Sequence, residues 1–207
     1  MPARRVLALE EHADLLRLAR EIVTAELAPL VADAERDEVF PREAFRTLGR
    51  AGLLGLPYPE ELGGGGVPYE VYLQVLEEIG TVWASVGVGT SVHALSCFAL
   101  ATRGTPEQQQ RFLPSMATGE RIWAQCWSEP EAGSDLASLR TKATRVGDDY
   151  IINGEKCWQS YAQDMDYLWL LCRTGTQESR GRGLSLMIVD LKGSGVTVNP
   201  LPTLDGD

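Results

Sequence analysis

Apolar residues recur every three or four positions through the first 120 residues, a spacing typical of amphipathic helices. The pattern predicts helices over residues 9–36, 42–50, 69–81 and 82–101. Pro29 is expected to kink or interrupt the first of them, because proline has no backbone N–H to donate. A fifth helix is predicted to begin with a capping box, Thr105 to Gln108, and to end near Gly119.

The pattern changes near Ile122, after which short β-rich segments alternate with turn residues. Strands are predicted over residues 123–128, 139–146, 150–153, 155–160, 167–173, 184–191 and 196–200. Asn153 and Gly154 have the residue types of a tight hairpin turn. Trp158 and Ser160 are therefore expected on one face of the strand that follows it.

These patterns predict an α+β protein with two domains. Residues 1–120 are expected to form an all-helical domain, and residues 121–207 an antiparallel β-barrel or sandwich that is truncated. At 207 residues, with 44% hydrophobic and 23% charged residues, the chain has the length and composition of a globular protein with a real core.

Charge and composition narrow the classes of function. A net charge of −10 argues against a nucleic-acid surface, and it means that an anionic ligand would depend on local donors. The four cysteines are widely separated in apolar contexts, which favours buried free thiols over disulfides, and nothing predicts a metal site. No run approaches about 18 uninterrupted apolar residues, so we predict no membrane span and a cytoplasmic location.

Two stretches have the residues for ligand chemistry. In the first, residues 123–135, the small side chains of Ala132 and Gly133 would let backbone N–H groups and the Ser134 hydroxyl approach an anion such as a diphosphate. In the second, Trp158 and Ser160 would form a wall for a flat heteroaromatic ring. From the spacings alone, an ordinary strand-to-turn exit and a core tryptophan with a hydrogen-bonded serine are the alternative interpretations.

Taken together, the two stretches resemble the acyl-CoA dehydrogenase family. The resemblance covers essentially the whole chain, and its most specific parts are Ser128-Glu129-Pro130, Ala132-Gly133-Ser134-Asp135, and Asn153-Gly154-Glu155-Lys156 with Trp158. It implies an FAD cofactor, with Ser134 also approaching the acyl-CoA substrate. The residues implied to bind FAD are Gln125, Cys126, Trp127, Ser128, Gly133, Ser134, Trp158, Gln159 and Ser160.

The resemblance also implies a reaction, the α,β-dehydrogenation of an acyl-CoA thioester. A carboxylate removes the α-proton, the β-hydrogen leaves as hydride to flavin N5, and an electron-accepting flavoprotein takes the electrons. In the family this carboxylate is a Glu of a C-terminal helical domain, and no catalytic residue is assigned in this chain.

Two interpretations of the chain follow from the missing base. It is expected to be a fragment or half of a split enzyme, acting as a homo-oligomer or with a partner chain that supplies the C-terminal domain. The alternative is a non-catalytic flavin- or CoA-binding protein, such as a partner subunit that lacks the base.

Overall fold

The computed structural model describes residue 7 and residues 9–201, which fall into two compact units divided between Ile122 and Trp123. The first unit is helical, and the second is built on a five-stranded sheet. This confirms the predicted order of a helical domain followed by a β domain.

The first unit begins with a helical run that changes its winding before Pro29. Helix α1 covers Glu10–Ile22, a π-helical turn covers Val23–Leu27, and helix α2 covers Ala28–Asp37. Because Pro29 lacks an N–H, the preceding turn widens, and the backbone stays helical from Glu10 to Asp37. The predicted interruption at this proline therefore takes the form of a π-helical turn.

Four more helices complete the first unit: α3 (Arg42–Arg50), α4 (Tyr69–Val82), α5 (Ala84–Arg103) and α6 (Pro106–Ala117). The capping box at the start of α6 is present, with the Thr105 hydroxyl accepting from the Gln108 N–H and the Gln108 side chain accepting from the Thr105 N–H. Trp83 has an extended backbone and separates α4 from α5. Its indole donates to the Glu35 carboxylate at 2.6 Å.

The helical unit has an apolar core, and an ion pair links two of its helices. Fully buried large side chains include Phe45 of α3, Tyr72 and Ile79 of α4, and Leu100 of α5. Glu78 of α4 is 5% exposed and accepts two hydrogen bonds from the Arg20 guanidinium of α1, at 2.8 and 2.9 Å. This pair fixes α1 against α4 with the planar geometry that arginine and carboxylate share.

Among the described residues, α5 is the one helix long and apolar enough to cross a membrane. Core helices of globular proteins pass the same test, and α5 packs against α4 and α6 within the helical unit. One side of α5 nevertheless carries exposed apolar side chains, namely Val88, Val92, Leu95 and Phe98. The absence of a membrane span and the cytoplasmic location stay predictions.

The sheet of the second unit is centred on one buried strand. Its strands are β1 (Trp123–Cys126), β2 (Lys142–Val146), β3 (Asp149–Asn153), β4 (Tyr167–Arg173) and β5 (Leu184–Asp190). Strand β4 pairs antiparallel with β5 along its whole length, and parallel with β1 and with the first residue of β2. Its near-continuous apolar sequence is typical of a strand buried on both faces.

The structure differs from the predicted β domain in two respects. The sheet is mixed, not purely antiparallel, because β1 and β2 both run parallel to β4. Residues 155–160 and 196–200 form no strand, so five of the seven predicted strands are present. Which edges pair is decided by long-range packing, and local β propensity carries no information about it.

Candidate functional site

The structure joins the two candidate stretches through their backbones. The Cys157 N–H donates to the Ser128 carbonyl at 3.0 Å. The Lys156 ammonium donates to the Trp127 carbonyl at 2.7 Å and to the Glu129 carboxylate at 3.0 Å. Residues 127–129 and 156–157 therefore form one connected wall, although 26 residues of sequence separate them.

Glu129 is the centre of this connection. Its carboxylate is 8% exposed and accepts the N–H groups of Arg140 at 2.7 Å and Thr141 at 2.9 Å, besides the Lys156 ammonium. Burial opposes its charge, but hydrogen bonding by Thr141, by the Arg140 N–H and by Lys156 outweighs burial and lowers its pKa to about 2. On the sequence alone, Glu129 is assigned no role beyond its place in the Ser128-Glu129-Pro130 motif.

We expect this carboxylate to make the sheet unit sensitive to acid. A folded-state pKa of about 2 against an ordinary 4.5 means that the stabilisation is fully present above about pH 4.5 and is lost as the pH falls towards 2. At about 1.4 kcal/mol for each pKa unit, the contribution is about 3 kcal/mol. The difference in unfolding free energy between wild type and Glu129→Gln should therefore be largest at neutral pH and shrink in acid.

Urea unfolding at a series of pH values, followed by tryptophan fluorescence, measures this difference. Four of the five tryptophans lie in the sheet unit, so the signal reports mainly on it. Glu131→Gln is the matched control, because its side chain is 78% exposed on the same turn. A wild-type to Glu129→Gln difference that stays constant between pH 7 and pH 3 would contradict the assignment.

Beyond Glu129 the turn presents backbone donors to solvent. The N–H and C=O groups of Glu129 and Ala132 bond each other at 3.0 and 3.1 Å, which closes the turn. Gly133 and Ser134 follow it, exposed, and within residues 9–201 their N–H groups donate to no protein acceptor. The carboxylate of Asp135 is paired with the Arg180 guanidinium at 2.9 Å. This arrangement suits the predicted contact with a diphosphate.

Trp158 does not occupy the predicted strand. Its backbone has φ +66°, in the left-handed region that a bulky residue seldom adopts, and its side chain is 73% exposed. The predicted hairpin at Asn153-Gly154 is wrong, because β3 pairs with β2 and the chain then passes close beside β2. A Cβ on Gly154 would lie 2.6 Å from the Thr141 Cα, so only glycine allows this approach.

The remaining predicted residues divide by exposure. Trp127 is 41% exposed at the end of β1, Ser160 is exposed, and Gln125, Ser128 and Gln159 are half-buried. Cys126 faces the core, and burial raises the pKa of its thiol to about 11. Trp158 and Ser160 share no strand face, because residues 154–160 form no strand.

Arg173 is the structural residue that sequence reasoning missed. The sequence makes Arg173, Arg180 and Arg182 candidates for a phosphate contact or for ordinary surface charge, but Arg173 is only 4% exposed. Its guanidinium donates to four backbone carbonyls at 2.8 to 3.1 Å, those of Ala137, Leu139, Thr176 and Arg180. An arginine ending the apolar run of β4 was the available signal.

Residues 9–201 contain no group of three or more histidine, cysteine or acidic side chains placed to hold a metal ion. The four cysteines are free, and burial raises the pKa of Cys97 to about 12.

Comparison with known proteins gives one family for both units. Residues 9–120 match the family model for the acyl-CoA dehydrogenase N-terminal domain, and residues 124–206 match the model for the middle domain. The chain is 37% identical over 179 residues to acyl-CoA dehydrogenase FadE29 of Mycobacterium tuberculosis, covering 84% of this chain and 45% of the relative. The chain spans about half the length of the curated relatives it matches.

Solved structures agree with the sequence relatives. The ChsE4–ChsE5 complex from Mycobacterium tuberculosis matches with a TM-score of 0.82 and 34% identity, covering 98% of this chain and 52% of that chain. A glutaryl-CoA dehydrogenase from Mycobacterium smegmatis in complex with FADH2 matches with a TM-score of 0.83 and 26% identity. That match covers 92% of this chain and 48% of the structure.

Proposed function

The chain belongs to the acyl-CoA dehydrogenase family, and from this premise we propose that it supplies the FAD-binding walls of an enzyme that dehydrogenates acyl-CoA thioesters. The observation that carries the proposal is the joined wall. In this wall the exposed side chain of Trp158 and the exposed turn at Gly133 and Ser134 lie on segments that are hydrogen-bonded to each other. Within residues 9–201, the N–H groups of Gly133 and Ser134 donate to no protein acceptor.

The residues present fit a flavin dinucleotide. The N–H groups of Gly133 and Ser134 would hold the diphosphate, and they are the local donors that a chain with net charge −10 needs. The exposed indole of Trp158 would lie against the flavin ring, and Trp127 would border it. FAD supplies the hydride acceptor, a chemistry that protein side chains lack.

The catalytic base is proposed to come from outside these residues. Of the three carboxylates in the motifs, Glu129 is paired with Lys156 and Asp135 with Arg180, while Glu155 is exposed. Glu129 is also held ionised at the foot of the turn, with all its hydrogen-bond partners internal. We propose that a further polypeptide segment or a partner chain brings the base, and that a separate flavoprotein accepts the electrons.

The alternative is a flavin- or CoA-binding subunit without catalysis of its own. The engaged carboxylates favour it as much as they favour an external base. The similarity to one chain of a two-protein complex also agrees with a subunit role. Both functions share the FAD site, and they differ in whether an acyl-CoA reduces the bound flavin once a segment that supplies the base is present.

Titration of the purified chain with FAD, followed by anaerobic addition of acyl-CoA thioesters, tests the proposal. We expect FAD to bind and the Trp158→Ala variant to bind it about 10- to 100-fold more weakly, since stacking on an aromatic ring contributes about 1–3 kcal/mol. Tyr150→Ala is the matched control, because Tyr150 is an exposed aromatic residue of β3 outside the candidate site.

The outcomes separate the two functions. Bleaching of the bound flavin by an acyl-CoA supports the dehydrogenase and places a base within the purified protein. Bound flavin that stays oxidised with the chain alone is expected of both functions, because the base is proposed to come from elsewhere. Flavin that also stays oxidised after a C-terminal helical domain from a relative is added supports the subunit without catalysis. A chain that never binds FAD, or a Trp158→Ala variant with wild-type affinity, would show that these residues do not form a flavin wall.

A further inference from the structure

We propose that the buried Glu129–Lys156 ion pair positions two segments of the candidate FAD site relative to each other. These are the turn at residues 129–134, which would hold the diphosphate, and residues 156–158, which carry Trp158. This role rests on the proposed FAD site. The two side chains would shape that site without lying on the surface that binds FAD. Neither side chain would touch FAD, so both are positioning residues.

The ion pair lies where residues 127–129 and residues 156–158 meet. Lys156 comes two residues before Trp158, and Glu129 closes the turn that leads to Gly133. Through the Lys156 ammonium, the end of β1 at Trp127 and the turn at Glu129 are both attached to the Trp158 segment. Within residues 9–201, removal of this ammonium leaves the Cys157 N–H bond to the Ser128 carbonyl as the hydrogen bond between residues 127–129 and 156–158.

The charges also support an anion site. An uncompensated carboxylate at the foot of the turn would repel a diphosphate, but the Lys156 ammonium neutralises it at 3.0 Å. Lys156 and Cys157 also occupy the carbonyls of Trp127 and Ser128. The turn beyond them is therefore left with N–H donors facing solvent and without an excess negative charge beneath them.

Burial distinguishes this pair from the other ion pairs of the sheet unit. The side chains of Lys156 and Glu129 are 6% and 8% exposed, whereas Lys192, paired with Asp166 at 3.6 Å, is 81% exposed. A buried pair gains little stability over apolar residues of similar volume, because both charges must lose their water. What such a pair does fix is the direction and distance of the two segments that carry it.

A double variant separates the effect of the ion pair on FAD binding from its effect on the stability of the fold. Lys156→Met leaves a buried carboxylate uncompensated, so it should weaken both folding and FAD binding. Adding Glu129→Gln to Lys156→Met removes that charge while the amide oxygen still accepts one N–H bond. We expect the double variant to melt at a higher temperature than Lys156→Met but to bind FAD about tenfold more weakly than wild type.

Two further variants complete the set. Lys156→Arg keeps the charge and the donors, and it should restore most of the FAD affinity and the visible circular dichroism of the bound flavin. Lys192→Met removes an exposed lysine of the same unit and should leave both unchanged. A double variant that binds FAD like wild type, with an unchanged flavin spectrum, would overturn the positioning role.

A measurement without FAD keeps the inference separate from the proposed function. Amide hydrogen exchange at the Cys157 N–H should be about tenfold faster in the double variant than in wild type, while exchange in β4 opposite β5 stays the same. Unchanged exchange at Cys157 overturns the inference. Failure of the wild-type chain to bind FAD overturns the flavin site alone, and the exchange result then still decides whether the pair holds the two segments.

Discussion

Replacing Arg173 with methionine should lower the free energy of unfolding of the sheet unit by about 3–4 kcal/mol. Methionine keeps most of the apolar stem and removes a guanidinium that donates to four backbone carbonyls. A hydrogen bond from a charged donor contributes about 1.5–3 kcal/mol, and the carbonyls of the exposed loop recover part of that loss from water. Urea unfolding followed by tryptophan fluorescence gives the difference.

Arg182→Met is the control for this prediction. Arg182 lies in the same loop but is exposed, so its replacement should change the unfolding free energy by less than about 0.5 kcal/mol. Equal effects of the two substitutions would mean that the buried guanidinium does not organise the loop. The comparison also bears on the candidate site, because Arg180 of that loop pairs with Asp135 next to Ser134.

Replacing Gly49 with alanine should destabilise the helical unit by about 3 kcal/mol. Gly49 lies in α3, where a Cβ would overlap the carbonyl group of Thr118 and lie 2.7 Å from the Gly119 nitrogen. Both are backbone atoms at the end of α6, so relief requires moving one helix away from another. Thermal unfolding followed by the helical circular dichroism signal measures the loss.

Gly80→Ala provides the opposite expectation in the same unit. Gly80 lies in α4, and a Cβ there would meet no atom within 4 Å. Alanine at an open helical position should stabilise the unit by about 0.5–1 kcal/mol, because glycine loses more backbone freedom on folding. If both substitutions shift the melting temperature in the same direction, the close approach of α3 and α6 does not determine the stability of this unit.

The sequence predicted the elements whose signals are local. Helix α3 and strand β4 begin and end at the predicted residues, and the capping box at Thr105 was legible from four consecutive residues. Helical spacing, cap residues and β-rich runs each depend on interactions within a few positions of the chain. The family resemblance, carried by short motifs around Ser134 and Trp158, was recognisable for the same reason.

The pairing of segments far apart in sequence depended on the tertiary structure. Asn153-Gly154 has the residue types of a hairpin turn, but in the structure Gly154 instead lies against Thr141. This contact depends on packing between distant segments, so the local sequence does not reveal it. The β1–β4 pairing likewise needed long-range contacts.

The sequence by itself thus determined the two-domain order and the residues of the candidate FAD walls. The tertiary structure alone decided that Glu129 and Lys156 join those walls and that Arg173 is buried. The reason is physical, because the charge state and the partners of a side chain depend on burial and on neighbours distant in sequence.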